Sequence, residues 1–217
     1  MAPRSVFITG GTGYLGRRLI PRLIERGHEV AALVRPGSER KLPSGSRAVP
    51  GNALDQSTFT NRIKPADTFV QLVGVPHPGP AKAKEFRAID LVSARESVAA
   101  AVAAGVDHFV YVSVAQPAPV MKVYQDVRAQ GEAMIRASGM KATLLRPWYI
   151  LGPGHRWPYF LVPAYWLFEW FPATRASARR LGLVTLPQMI DALLVAVENP
   201  PDGIRVVEVP EIRRSGM

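Results

Sequence analysis

Short apolar runs separated by longer amphipathic stretches organise this chain. SVFIT (Ser5–Thr9) reads as a buried strand. After a glycine-rich turn comes YLGRRLIPRLIERG, where Leu15, Leu19, Ile20, Leu23 and Ile24 recur at helical spacing. Pro21 interrupts that pattern, either kinking the helix or falling where it is already under way. Further strands are predicted at His28–Arg35, Arg47–Gly51 and Asp67–Gly74. An amphipathic segment from Lys82 to Ala104 leads through Gly105 into a strand at His108–Val114, a helix near Met121–Ser138 and a strand at Lys141–Pro147. Strand–helix alternation with near-continuous apolar strands predicts an α/β fold: a doubly wound, Rossmann-type parallel sheet with helices on both faces. No internal repeat or low-complexity linker breaks the pattern, and 217 residues fit a single domain, 1–217.

Composition excludes several classes. With 47% hydrophobic and 20% charged residues the chain is globular rather than disordered. It has no cysteine, hence no disulfide framework, thiolate chemistry or cysteine-based metal site, in keeping with a cytoplasmic setting. With only four histidines in the chain and no acidic residue at ligand spacing around His77 or His155, no metal is expected. His77 and His155, in Gly/Pro-rich loops, read as solvated residues or as proton donors reaching a cleft. The opening MAPRSVFITGG is too weakly apolar for a secretory signal, and no run of about 18 apolar residues suggests a transmembrane helix. A net charge of +10 favours anionic partners: a phosphorylated cofactor, an acidic membrane surface or nucleic acid. The basic residues are spread along the chain rather than gathered in one arm, which argues against nucleic acid.

Chemistry enters with the glycines. Gly10, Gly13 and Gly16 form a G-x-x-G-x-x-G run between the first strand and the first helix. There one glycine makes the tight turn, one lets the backbone approach a pyrophosphate, and one lets helix and strand pack closely. The helix N-terminus adds free N–H groups and a positive dipole end. An NAD site usually offers an acid at the end of the second strand; this chain has Arg35 there. A carboxylate would repel a 2′-phosphate, whereas a guanidinium binds it bidentately, so NADP is preferred over NAD. Arg17 could close on the same phosphate, and Ser38, Arg40 and Lys41 add donors.

On these residues the chain resembles the atypical branch of the short-chain dehydrogenase/reductase (SDR) superfamily, which includes NmrA-like proteins and small NAD(P)H-binding reductases. TGGTGYLG resembles its cofactor loop, which implies cofactor contacts at Thr12, Tyr14 and Leu15 beside the glycines and Arg17. GNALD is similar to the segment bordering the adenine (Asn52, Ala53), and LVG to the loop lying along the cofactor (Val73, Gly74). LLRPWYILGPG resembles the loop passing the nicotinamide (Pro147, Tyr149). LVTLPQMIDALLVAVENPPDGIRVVEV resembles the terminal strand, helix and strand. The resemblance also implies a Ser–Tyr–Lys constellation in which tyrosine exchanges a proton with the substrate carbonyl, serine binds the same oxygen and lysine holds the ribose. Ser113 and Tyr124 match the first two; Arg128, four residues after Tyr124 on the same helix face, takes the lysine position and is expected to contact the cofactor. Asp90 falls where the family has an asparagine.

Residues 146–175 hold all four tryptophans, Trp148, Trp157, Trp166 and Trp170. Trp148, Tyr149, Trp157, Tyr159 and Phe160 could wall an apolar pocket. The stretch could also be a subunit interface of a homo-oligomer, ordinary core, or a peripheral membrane contact through 157–180 with Arg156, Arg175, Arg179 and Arg180 at its flanks. Residues 148–180 are therefore expected to form a lid or interface insertion. The function expected is an NADP(H)-dependent oxidoreductase acting on a small or apolar carbonyl-like substrate. The alternatives are a non-enzymatic NADP(H) sensor and a membrane-peripheral accessory subunit.

Overall fold

The structure is a computed structural model that describes residues 2–153 and 181–215. The sequence-predicted lid falls largely outside them, together with His155, Trp157, Tyr159, Phe160, Trp166, Trp170 and the arginines at 156, 175, 179 and 180.

Seven parallel strands form one sheet: β1 (Ser5–Thr9), β2 (Glu29–Val34), β3 (Arg47–Pro50), β4 (Thr68–Gln71), β5 (His108–Val112), β6 (Lys141–Arg146) and β9 (Ile204–Glu208). Their order is β3-β2-β1-β4-β5-β6-β9. A separate parallel pair joins β7 (Tyr149–Leu151) to β8 (Leu183–Thr185). The strand order runs outward in both directions from β1 and β4, so the connections leaving these two neighbours diverge at their carboxyl ends. Such a switch point opens the crevice in which doubly wound folds hold ligands.

Alternation within each strand feeds two cores. Val6 and Ile8 join α1 (Gly16–Glu25), α5 (Leu186–Glu198) and α6 (Val209–Arg214) on one face, through Leu19, Leu23, Leu193 and Ile212. Phe7 and Phe69 face the other way, toward α3 (Val92–Ala103) and α4 (Lys122–Ala137), through Val98, Ala101 and Ile135. Register aligns Phe7 with Phe69 and Phe69 with Phe109, and the rings pack at 5.3 and 5.1 Å, an aromatic row across three strands.

The strand ends agree with the sequence pattern to within a few residues. Pro21 stays inside α1, in its second turn. The segment from Lys82 to Ala104 is less regular than its periodicity implies. After α2 (Ala83–Glu85) the chain widens into a π-helical stretch, Phe86–Leu91, before α3 begins. That π stretch carries Asp90, in line with the tendency of such turns to mark functional sites. Among the described residues, no helix is long and apolar enough to cross a membrane.

His108 opens β5 fully buried, with Nε2 3.0 Å from the Thr143 hydroxyl and Nδ1 without a hydrogen-bond partner. Burial, aided by the charge of Arg4, pushes its pKa down from 6.5 to about 4. Between these values the unfolded chain binds the proton that the folded chain refuses, so stability is complete above pH 6.5 and falls as pH drops toward 4. The full contribution is about 3 kcal/mol. Urea midpoints at neutral and mildly acidic pH should therefore diverge for the native chain and diverge less for His108→Gln.

Candidate functional site

Gly10 ends β1 with φ +78°, a left-handed conformation that favours glycine. A β-carbon on it would lie 2.8 Å from the carbonyl carbon of Leu72, at the end of β4. The Gly13 N–H donates to the Gly10 carbonyl at 2.9 Å and closes the turn. A β-carbon on Gly16 would meet the backbone of Gly10 and Gly11, 2.6 Å from the Gly11 Cα, so only glycine lets α1 start this close to the strand. Bare backbone therefore lines the carboxyl edge of β1, facing the start of α1, and Gly13 is exposed there. This cradle, which side chains would fill, fits a dinucleotide pyrophosphate.

Around the cradle, Arg17 is exposed in the first turn of α1 and Arg35 is exposed just past β2. Neither side chain makes a hydrogen bond or ion pair among the described residues. Arg18 instead folds back, with Nη1 donating to the Tyr14 carbonyl at 2.8 Å and its guanidinium 4.5 Å from the Tyr14 ring. The Tyr14 hydroxyl lies against Gly152, where a β-carbon would collide with it, so the glycine loop touches the chain just past β7. Asn52 caps its own turn, Oδ1 accepting from the Leu54 N–H at 3.0 Å, with Ala53 half-buried beside it. Pro147 accepts from the Ala115 N–H at 2.9 Å, and the Tyr149 ring stands edge-on to Trp148 at 5.7 Å.

The expected catalytic residues converge on α4, in two buried ionic clusters. In the first, Arg128 Nη2 donates to Asp90 Oδ1 at 2.5 Å and Nη1 to the Val112 carbonyl at 2.9 Å. Asp90 Oδ2 accepts from the Val75 N–H at 3.0 Å. The guanidinium lies 5.1 Å from the Tyr124 ring centroid, and that ring packs on Phe86 at 4.9 Å. Burial raises the Asp90 pKa, against the pull of the Arg128 charge and of its hydrogen bonds. For Arg128, burial works against the cation, but Tyr124, Tyr111 and Asp90 outweigh it and hold its pKa above the usual value. The cation that sequence placed at the ribose is thus held from behind by a carboxylate.

In the second cluster Ser113, 2% exposed, donates its hydroxyl to Glu132 Oε1 at 2.6 Å. Glu132 also accepts from Gln116 and, bidentately, from Arg146 at 2.9 and 2.6 Å. Arg146 bridges on to Glu208 at 3.1 Å. Hydrogen bonding to Glu132 raises the Arg146 pKa further. Sequence reading missed Glu132 and Arg146. The available signal was the i, i+4, i+8 series Tyr124, Arg128, Glu132, which puts a third polar group on the same face of α4.

Residues 10–157 match the family described as NAD(P)H-binding. The chain belongs to that family. The curated proteins it is similar to include reductases. It is 28% identical over 222 residues to a ceramide reductase of Caulobacter vibrioides, covering 97% of the chain and 66% of the relative. It is 26% identical over 168 residues to a 4-hydroxy-2-methyl-3-oxo-4-farnesyl-3,4-dihydroquinoline-1-oxide ketoreductase of Stigmatella aurantiaca, covering 67% of the chain and 50% of the relative. The chain thus spans between half and two thirds of the length of these relatives. Among solved structures, the fold is shared with the Bordetella bronchiseptica enzyme WbmH in complex with NAD+, at TM-score 0.70 and 20% identity, covering 98% of this chain and 80% of that one.

Glu132 holds four donors in a largely buried setting, so its removal should leave Arg146 and Ser113 without their partner. Glu132→Ala is expected to cost about 3 kcal/mol. Arg136→Ala, at an exposed side chain 3.9 Å from the same carboxylate, should change stability by less than about 0.5 kcal/mol. Chemical denaturation of both variants checks the contrast.

Proposed function

We propose that the chain is an NADP(H)-dependent oxidoreductase that reduces an apolar carbonyl substrate. The observation that carries this reading is the course of Leu72–Val75. At one end this loop meets Gly10 of the cofactor cradle; at the other it meets Asp90 and Arg128, beneath Tyr124. The loop thus links the cradle to the elements that carry the candidate proton donor.

Specificity for the 2′-phosphate rests on Arg35 and Arg17, two exposed cations near the place where an NAD-selective site would carry an acid. Backbone at Gly10, Thr12, Gly13, Tyr14, Leu15 and Gly16 receives the pyrophosphate. Asn52 and Ala53 border the adenine, and Val73, Gly74, Pro147 and Tyr149 border the nicotinamide. When bound, the reduced nicotinamide supplies the hydride. Tyr124 delivers the proton to the substrate oxygen, its ring fixed between Phe86 and the Arg128 guanidinium. Ser113 directs its own proton at Glu132, so its oxygen is left to accept from the tyrosine hydroxyl rather than to donate to the substrate carbonyl.

An apolar substrate agrees with the side chains around Tyr124: Val75, Phe86 and Val127 form a small buried cluster with Ile89, Leu91 and Met121 packed against it. The relatives named for ceramide and for a farnesylated quinoline oxide point the same way. Purified protein should consume NADPH with phenanthrenequinone or methyl nonyl ketone. NADPH binding without turnover across a panel of apolar ketones and quinones would count against an enzyme.

Two substitutions probe the parts separately. Arg35→Asp should weaken NADPH by about a hundredfold while changing NADH severalfold at most, since only NADPH loses a bidentate, charge-assisted contact. Equal loss for both cofactors would remove the NADP assignment. Tyr124→Phe should lower kcat by about a hundredfold or more with NADPH affinity kept. An unchanged rate would end its role as proton donor.

A further inference from the structure

Gly74 has no need of glycine for its backbone angles, since its φ lies outside the left-handed region. What it lacks is room. A β-carbon there would lie 2.6 Å from Arg128 Nη2 and 3.2 Å from Asp90 Oδ1. Next along the chain, the Val75 N–H is already bonded to Asp90 Oδ2. The buried pair therefore presses against the loop at its exposed residue, the one that has no side chain. Through Arg128 Nη1 the same pair holds the last carbonyl of β5, and Arg128 itself belongs to α4. The far end of the loop is packed on Gly10.

We propose that Asp90 and Arg128 form a positioning strut that fixes the Leu72–Val75 loop, and with it the nicotinamide half of the dinucleotide site, and that the missing side chain at Gly74 is what lets the strut close. This inference rests on the dinucleotide-binding reading above. Arg128 acts through Asp90 and the loop rather than by gripping the ribose. The residue types follow from that task. A planar guanidinium can address the Asp90 carboxylate and the Val112 carbonyl at once, in directions fixed by its fork, which a lysine ammonium on a flexible stem does not reproduce. Asp90 offers one oxygen to the guanidinium and the other to the Val75 N–H. An amide at 90 would give up the ionic half of that bridge. Neither partner tolerates loss of the other, because each would be left as a buried, uncompensated charge.

The test compares NADPH, which fills both halves of the site, with adenosine 2′,5′-bisphosphate, which fills only the adenine half. Affinities and melting temperatures are measured for the native chain, Gly74→Ala, Arg128→Lys, their combination, and Asp90→Asn. The Gly74→Ala methyl occupies the space of Arg128 Nη2, so NADPH should bind about tenfold more weakly while the bisphosphate stays within about twofold. In the Arg128→Lys background Nη2 is gone, and adding Gly74→Ala should cost less than about a further twofold. Asp90→Asn should weaken NADPH as Gly74→Ala does.

Additive losses in the double variant would overturn the strut, because the methyl would then be acting on the ligand directly. Equal weakening of both ligands would overturn it as a general loss of fold. So would unchanged or tighter NADPH binding in Asp90→Asn, since the guanidinium would then be working without its partner. If the native chain binds neither ligand, the dinucleotide reading fails and the melting temperatures alone decide the strut. Closure predicts a fall for Gly74→Ala that disappears in the Arg128→Lys background; equal falls in both backgrounds overturn it.

Discussion

The carbonyl carbon of Leu72 lies 2.8 Å from where a side chain on Gly10 would begin, and the rest of the site depends on that contact. It lets the loop leaving β4 fold across the end of β1, at the point where the strand order reverses. A methyl group at Gly10 would push the loop away and would also strain a backbone held at φ +78°. Because Leu72–Val75 continues to Gly74 and Val75, such a shift would travel to Asp90 and Arg128 and so to Tyr124. The glycine cradle and the Tyr124 region are linked through four residues of backbone rather than through a long network.

The interior charges are arranged with the same economy. Arg128 and Glu132 are one turn apart on α4 and point toward the carboxyl ends of β5 and β6, each meeting an opposite charge from another element. Burying ions contributes little net stability, because desolvation offsets most of the attraction. What a buried pair with further hydrogen bonds does provide is a fixed direction for each group. The Asp90 carboxylate orients a guanidinium, and the Glu132 carboxylate orients a serine hydroxyl. A site that must present a hydroxyl within tenths of an ångström benefits from such rigid supports.

Local signals that needed only one segment were legible in the chain. The central strands β1, β2, β4, β5 and β6 were recognisable because each is a short apolar run buried on both faces. The glycine spacing and Arg35 could be read because backbone approach and charge complementarity depend on residue type at fixed positions. The π stretch at Phe86–Leu91 was not legible, since one widened turn leaves the apolar periodicity of a 23-residue segment almost unchanged. The partner of Ser113 was equally hidden: it is 19 positions away, and nothing in YVSV selects Glu132 from the other acids.

The sequence by itself determined a doubly wound α/β fold, a dinucleotide loop and a tyrosine–cation pair one turn apart, because composition, periodicity and i, i+4 spacing are local properties. Only the tertiary structure decided what the cation meets. Asp90 and Arg128 are 38 residues apart and meet because a π turn and α4 converge over the loop from β4. Which of several carboxylates lies within 2.5 Å of a buried guanidinium follows from the packing of whole elements, and no spacing along the chain encodes it.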